Sequence, residues 1–137
     1  MLALEPAIVE RLRGEFPETW NVKGMFSDTG EREPDLLGSV LFIDANVPVS
    51  EAPGALVRPF WAVTFMARRG DPGALVLLDD AFARAVEALH GWAPGQVAGR
   101  RWERLQLVSV KPPPYPENGL VGIELVFSTS ARFDGQP

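Results

Sequence analysis

The chain carries few side chains of the kinds that begin covalent chemistry. It has one histidine and no cysteine. A nucleophilic triad needs a general base beside a serine, cysteine or threonine, and the single histidine, His90, stands at the predicted end of a helix, directly before Gly91. A cationic side chain favours the carbonyl end of a helix, so we interpret His90 as a helix-terminal residue and not as a catalytic base.

The carboxylates do not form an evident acid–base pair either. Asp79 and Asp80 are adjacent in a predicted helix and project about 100° apart, which does not make a dyad. One histidine without cysteine does not supply the usual ligands of a zinc site. The two glycine-rich patterns that bind phosphates, the dinucleotide-binding fingerprint and the Walker A loop, are both absent from the sequence. We therefore expect no enzyme, no cofactor and no metal, although distant carboxylates such as Asp44 and Asp79 could still meet in the fold.

Two short motifs could bind partners. Residues 112–115 read Pro-Pro-Pro-Tyr and match the pattern that WW domains bind, but a proline loop between two strands accounts for the same letters. Arg100, Arg101 and Arg104 form the densest basic cluster. This cluster is either a solvated strand entrance or a contact for a phosphate or an acidic neighbour.

The composition indicates one folded domain. The 137 residues are 46% hydrophobic and include four tryptophans, enough for a core without disulfide bonds. The formal net charge of −5 argues against a surface that binds nucleic acid by displacing counterions. No apolar run has membrane-spanning length, and the first residues lack the pattern of a signal peptide, so we expect an intracellular protein without a membrane partner.

The central unit of the sequence lies between residues 57 and 94. Residues 57–69 predict a central strand, because both of its alternating faces are apolar. The Gly-Asp-Pro-Gly sequence at 70–73 ends this strand and begins a helix. Apolar side chains recur along one stripe of that helix, which we expect to face the sheet, and Leu77 lies nearly opposite, facing water. The stripe comprises Leu75, Leu78, Phe82, Val86 and Leu89.

The remaining segments complete an α+β pattern in the order α-β-β-β-α-β-β. We expect residues 1–137 to form a single two-layer sandwich, in which two helices cover one face of a mostly antiparallel sheet of four to five strands. The last strand alternates, with Glu124, Ser128 and Ser130 predicted to face water. The sequence predicts a first helix over 6–15, further strands over 20–26, 39–47, 102–110 and 120–131, loops over 27–35, 48–58, 95–101 and 111–119, and a loose tail over 132–137.

The central unit also carries a resemblance to a known family. The similar features are the strand end Phe-Met-Ala-Arg-Arg at 65–69, the turn at 70–73, the leucines of the helix, and its exit Leu-His-Gly-Trp-Ala-Pro at 89–94. A proline loop with Tyr115 before the final strand and the total length are similar as well. In these features the chain resembles the tail terminator, or tail completion, proteins of long-tailed bacteriophages and prophage-derived tails.

This resemblance implies a structural protein of the virion. Tail terminators of this kind form a ring, commonly of six copies, on the last layer of the tail tube, where they stop polymerisation and present the surface on which the head docks. The implied partners are other copies of the chain, the tail-tube protein and a head–tail connector protein, with DNA passing through the lumen without specific binding. The implied location is the host cytoplasm during assembly and then the virion tail. The family has no catalytic residues to carry over.

Candidate contact residues follow from their expected exposure. They lie in the loop after the second strand, at the end of the central strand, on the second helix and in the basic cluster. A small-ligand or regulatory binding module remains an alternative, which a closed pocket and a monomeric or dimeric state would favour. The candidates are Ser50, Glu51, Leu56, Arg68, Arg69, Asp71, Leu77, Arg100 and Arg101.

Overall fold

The computed structural model of the chain describes residues 1–26, 36–113 and 119–135. The predicted loop at 27–35, most of the loop at 111–119 with its Tyr115, and the last two residues lie outside these ranges. The described residues form two helices, α1 (Leu4–Glu15) and α2 (Ala74–Leu89), and the strands β1 (Asn21–Gly24), β2 (Leu37–Asn46), β3 (Ala55–Arg68), β4 (Gly95–Val97), β5 (Arg100–Trp102), β6 (Gln106–Lys111), β7 (Leu120–Ser128) and β8 (Ala131–Phe133).

The main sheet has the strand order β1-β2-β3-β7-β6, and β8 pairs with the beginning of β3. Only β1 and β2 run parallel among its described pairs, while all other neighbours are antiparallel. The predicted α+β class, the mostly antiparallel sheet and the order of the main elements are therefore confirmed. The sheet has six strands instead of the four to five that we predicted.

Strand β3 forms the centre of the sheet. It pairs with β2 over residues 58–66 along one edge and with β7 over residues 60–68 along the other. Trp61, Val63 and Phe65 are fully buried on the face that the helices cover. The ring of Phe65 stacks on Phe16, with 5.1 Å between ring centres, and meets Trp20 edge-on at 5.5 Å. These aromatic contacts join the end of α1 to the middle of the sheet.

The buried face of the second helix is centred on small residues, and the predicted stripe of large residues is confirmed for Leu78, Phe82, Val86 and Leu89 but wrong for Leu75. Leu75 is 75% exposed, whereas Leu77 is half-buried and packs against the core, contrary to the prediction that it faces water. The reason is steric, because alanines allow α2 to lie close to its neighbours, while Leu78, Phe82 and Val86 fill the flanks. The buried residues of α2 are Ala74, Ala81, Ala85, Ala88 and Leu89.

Three predicted segments, near the beginning of β3 and at the end of the chain, have other bounds in the structure than in the prediction. The loop predicted over 48–58 ends earlier, because β3 begins at Ala55 and includes Leu56. The tail predicted over 132–137 is loose only in part, since residues 131–133 form β8 and pair with residues 55–57 of β3. The last strand correspondingly stops at Ser128. Long-range pairing of this kind leaves no local periodic signal in the sequence.

The connector predicted over 95–101 is a small hairpin. Strands β4 and β5 pair in an antiparallel manner, and Ala98 and Gly99 between them both take positive φ, 53° and 78°. Positive φ at two successive turn residues matches the twist of a tight hairpin. The strand predicted over 102–110 is therefore split, because β5 ends at Trp102 and β6 begins at Gln106.

A buried carboxylate fixes the beginning of α1 against β1. Glu5 is buried, and its Oε2 accepts the backbone N–H of Phe26 at 2.9 Å. Gly24 passes directly over this carboxylate, and a Cβ atom there would collide with it. Among the described helices, neither is long and apolar enough to cross a membrane.

Candidate functional site

The predicted contact residues fall at the two ends of β3. Ser50 and Glu51 precede its first residue. Leu56 is its second residue and pairs with Arg132 of β8. Arg68, in contrast, is its last residue. A strand rises about 3.3 Å per residue, so the fourteen residues of β3 separate these two groups by roughly 40 Å. The structure thus does not bring all candidates together, but distributes them over two surfaces.

The first surface, here called the β8 end, consists of residues 47–56, the hairpin 95–102 and β8. Its two basic side chains have different roles. The Arg100 guanidinium lies 3.8 Å from the ring centre of Phe133 and donates a hydrogen bond to the carbonyl of Arg132 at 3.1 Å. Arg101 is exposed on the hairpin. Since Arg104 also donates to a backbone carbonyl, that of Gly91 at 2.7 Å, two of the three arginines in the basic cluster stabilise the fold itself.

The loop of the β8 end is exposed. The Ser50 hydroxyl accepts the backbone N–H of Ala52 at 3.1 Å, which forms a local turn. Glu51 follows with an exposed side chain, and Val47 and Val49 leave large aliphatic groups in water. Exposed aliphatic residues beside polar ones are typical of a surface that another protein covers.

The second surface, here called the β3–α2 corner, consists of residues 68–76. The Arg69 N–H donates to the Gly119 carbonyl at 2.7 Å, and the Asp71 Oδ1 accepts the Gly73 N–H at 2.8 Å. Both side chains are exposed, as predicted from the turn sequence. Sequence reasoning missed Leu75 and Val76, which are 75% and 70% exposed. The alanines at 74, 81, 85 and 88 carry the signal that could have found them, because they repeat with helical spacing on the other side.

The face of the sheet opposite the helices, here called the open face, contains a cleft of about 480 Å³. Its floor includes Glu124, which is only 4% exposed, so the prediction that this side chain faces water was wrong. Glu124 is buried because Met66, Lys111 and Pro113 stand around it, and Gly122 lets Pro113 approach the sheet.

The carboxylate of Glu124 is incompletely partnered. Its Oε1 lies 4.0 Å from the Nζ of the half-exposed Lys111. Its Oε2 is buried and has no hydrogen-bond partner among the described residues. Leu41 and Ile43 flank the cleft with side chains that are 43% and 42% exposed. The open face therefore combines an apolar rim with a buried acceptor.

The described residues do not form a catalytic centre of the kinds considered from the sequence. His90 is the C-cap of α2, and its Nδ1 accepts the N–H of Leu107 at 3.1 Å, so it holds strand β6 in place. Asp44 pairs with Phe60 on the open face, whereas Asp79 lies on the water-facing side of α2, in the other layer. No group of three or more metal-binding side chains occurs in the described parts of the chain.

A second cleft, of about 580 Å³, lies between the open face and the β8 end. It is polar, and its walls include Arg58, Glu103 and Arg104. The Thr129 hydroxyl donates to the Glu103 carbonyl at 2.6 Å, so part of its polar lining is used within the fold. Like the cleft around Glu124, it opens onto the surface, so neither is the closed pocket expected of a small-ligand module.

Comparison with known proteins relates this fold to one described assembly. No family model matches the chain, and no curated protein matches it at a significant level. A chain in the solved structure of the virion of a native gene transfer agent particle is similar, with 17% sequence identity and a TM-score of 0.66 over 95% of each chain. The fold is thus one that a virion contains. A second solved structure is 11% identical, with a TM-score of 0.58 over 98% of this chain and 94% of the other. At these identities the likeness shows the fold alone.

Proposed function

We propose that the chain is a structural protein of a phage-like virion and that it closes the end of a tail tube as a ring. The observation that carries this proposal is the fold shared with a chain of the gene transfer agent virion, over 95% of both chains. The resemblance of residues 65–94 to tail terminators adds the finer assignment. Surface complementarity, and not catalysis, would perform this function.

A ring of identical copies needs two different surfaces on each copy, because a heterologous contact must repeat until it closes. The β3–α2 corner is a candidate for this contact, while the β8 end lies at the opposite end of the central strand and is left for a different partner. We assign the β8 end, with Ser50, Glu51 and Arg101, to contact with the tail-tube protein. A head–tail connector protein would bind the other side of the ring. Tube growth stops because the ring offers no further tube-binding surface.

In this assignment, DNA passes through the lumen of the ring without specific contact. The net charge of −5 supports it, because an acidic wall repels phosphates and lets a duplex slide. The protein would be assembled in the host cytoplasm and then remain in the virion tail. A lumen that is strongly basic in the assembled ring would contradict this part of the proposal.

The experiment that tests the function is tube capping. Light scattering over a concentration series, with negative-stain images of the same sample, would give particles near six times 15.0 kDa if the ring forms alone. Mixing the chain with tubes of its tail-tube protein should place a cap at tube ends and stop elongation. Tubes that elongate at an unchanged rate without caps would overturn the proposal.

A matched pair of variants addresses the tube contact. Glu51→Lys reverses an exposed charge at the β8 end, and we expect it to weaken capping at least tenfold while the fold is retained. Glu18→Lys makes the same change at an exposed position outside the β8 end and should cap tubes like the unchanged chain. Equal capping by both variants would remove the β8 end from the tube contact.

A further inference from the structure

We infer that the cleft around Glu124 on the open face receives the β3–α2 corner of a second copy of the chain, whose Arg69 pairs with Glu124. The inference deepens the proposed function, since it rests on a ring and names the contact that closes it. Each copy would insert its corner into the cleft of the next.

The first step of the argument is the incomplete bonding of Glu124. An ionised carboxylate accepts several hydrogen bonds, and a buried one that lacks them is unfavourable. Lys111 reaches Oε1 only at 4.0 Å, and Oε2 has no partner in the described part of the chain. A donor from outside the chain would complete the site once the side chains around the buried Oε2 move aside, and a guanidinium suits a carboxylate best because it can bind both oxygens.

The second step is the surrounding surface. Leu41 and Ile43 are exposed beside the carboxylate, so the occupant must cover aliphatic groups as well as supply a donor. Among the described residues that line the cleft, only Lys111 and Glu124 are charged. The cleft therefore selects a partner that carries aliphatic side chains, one cation for Glu124 and an anion for the half-exposed Lys111.

The third step is that the β3–α2 corner has this chemistry. It presents Leu75 and Val76, which are exposed, together with the exposed side chains of Arg69 and Asp71. Arg69 matches Glu124 in charge, and Asp71 matches Lys111. Neither aliphatic residue contributes to the core of its own chain, so their burial against Leu41 and Ile43 would be gained only in the assembly.

The fourth step concerns symmetry. The helices cover one face of the sheet and the cleft opens on the other, while the corner is the point at which the chain passes from β3 into the helix layer. Cleft and corner are therefore different surfaces, and their contact is heterologous. Such a contact leaves one cleft and one corner free on each dimer, so further copies add, and they close a ring when the rotation between neighbours divides a full turn.

The natural absence of cysteine makes this contact directly testable. We would mix an Ile43→Cys variant with a Val76→Cys variant, oxidise the mixture mildly and separate it on a non-reducing gel. The expected product is a mixed dimer joined by a disulfide, at a yield at least tenfold above that of Ile43→Cys mixed with Ala83→Cys, which places the thiol at another exposed position of α2. Equal yields from the two mixtures would overturn the inference.

A charge variant gives a second readout that does not depend on thiols. Arg69→Glu should raise the dissociation constant of self-association at least tenfold by light scattering, because it would place a second carboxylate beside Glu124. Arg84→Glu is the matched control, since it reverses an exposed charge on the water-facing side of α2 and should leave self-association unchanged. Circular dichroism would verify that both variants fold.

The outcomes separate the inference from the proposed function. If the unchanged chain caps tubes but the cleft and the corner do not cross-link preferentially, the ring stands and this contact is wrong. If the cross-link forms but tubes are not capped, the contact stands and the proposed function fails. A chain that stays monomeric and gives no preferential cross-link at any concentration overturns the inference whatever happens with tubes.

Discussion

The guanidinium of Arg100 lies 3.8 Å from the ring centre of Phe133, and this contact joins the β4–β5 hairpin to strand β8. Trp102, the last residue of the same strand β5, meets this ring edge-on with 6.1 Å between the ring centres. The hairpin and β8, most of which the sequence predicted as a connector and a loose tail, thus stabilise each other at one end of β3. Because their strands are only three residues long, neither would persist alone.

Replacing Arg100 should therefore loosen the β8 end. We expect Arg100→Ala to lower the free energy of unfolding by about 1–2 kcal/mol, because it removes both the cation–π contact and the hydrogen bond to Arg132. Urea denaturation would measure the loss, and hydrogen exchange should be fastest in residues 131–133. Arg101→Ala, at the exposed neighbouring position, should stay within about 0.5 kcal/mol of the unchanged chain.

A second prediction concerns the close approach of Glu5 in α1 to Gly24 in β1. Gly24→Ala should lower the free energy of unfolding by about 1–3 kcal/mol, because the added Cβ collides with the buried Glu5 carboxylate. Gly14→Ala is the opposite case, since Gly14 lies in α1 with open space around it, and it should raise stability by about 0.5–1 kcal/mol. Thermal unfolding of the two variants side by side would check both signs.

The approach of Pro113 to the sheet makes a third prediction. Gly122→Ala should lower the free energy of unfolding by about 1–3 kcal/mol, because its Cβ would collide with the Phe65 carbonyl oxygen and crowd Met66 and Pro113. Gly70→Ala meets no atom within 4 Å and should be close to neutral. Similar denaturation midpoints for the two variants would show that β7 can shift to make room.

A fourth prediction concerns the buried alanines of α2. Ala85→Leu should lower the free energy of unfolding by about 1–3 kcal/mol, because Ala85 is fully buried between the layers. Leu75→Ala should change it by less than about 0.5 kcal/mol, since Leu75 is largely exposed in the single chain. The reverse order of the two effects would mean that α2 faces the sheet with the stripe of large residues after all.

The centre of the fold could be predicted from the sequence because its signal is local and strong. Trp61, Val63 and Phe65 alternate with further apolar residues, which identifies a strand covered on both faces. The turn at 70–73 contains two glycines and a proline, which are typical of turns and end a strand. From these two elements the exposed positions of Arg69 and Asp71 followed correctly.

The parts of the fold that sequence reasoning missed depend on small side chains and on pairing between residues far apart in the sequence. The buried face of α2 is centred on alanines, so a pattern judged by large side chains is displaced toward one flank and includes the exposed Leu75. Strand β8 depends on pairing with residues about 75 positions earlier, which no local window contains. Glu124 alternates like a solvent-facing residue, and its burial arises only when Met66, Lys111 and Pro113 surround it.

The unbroken course of β3 also has a mechanical consequence. Its beginning is paired to β8 and its remainder to β2 and β7, so a pull between the two ends loads the backbone ladders in shear, and many hydrogen bonds share it at once. The helices and loops lie beside this line of force and carry little of it. Any assembly that grips the chain at both ends of β3 would thus transmit tension through a stiff strand, and would keep a constant height along that direction while the surrounding loops move.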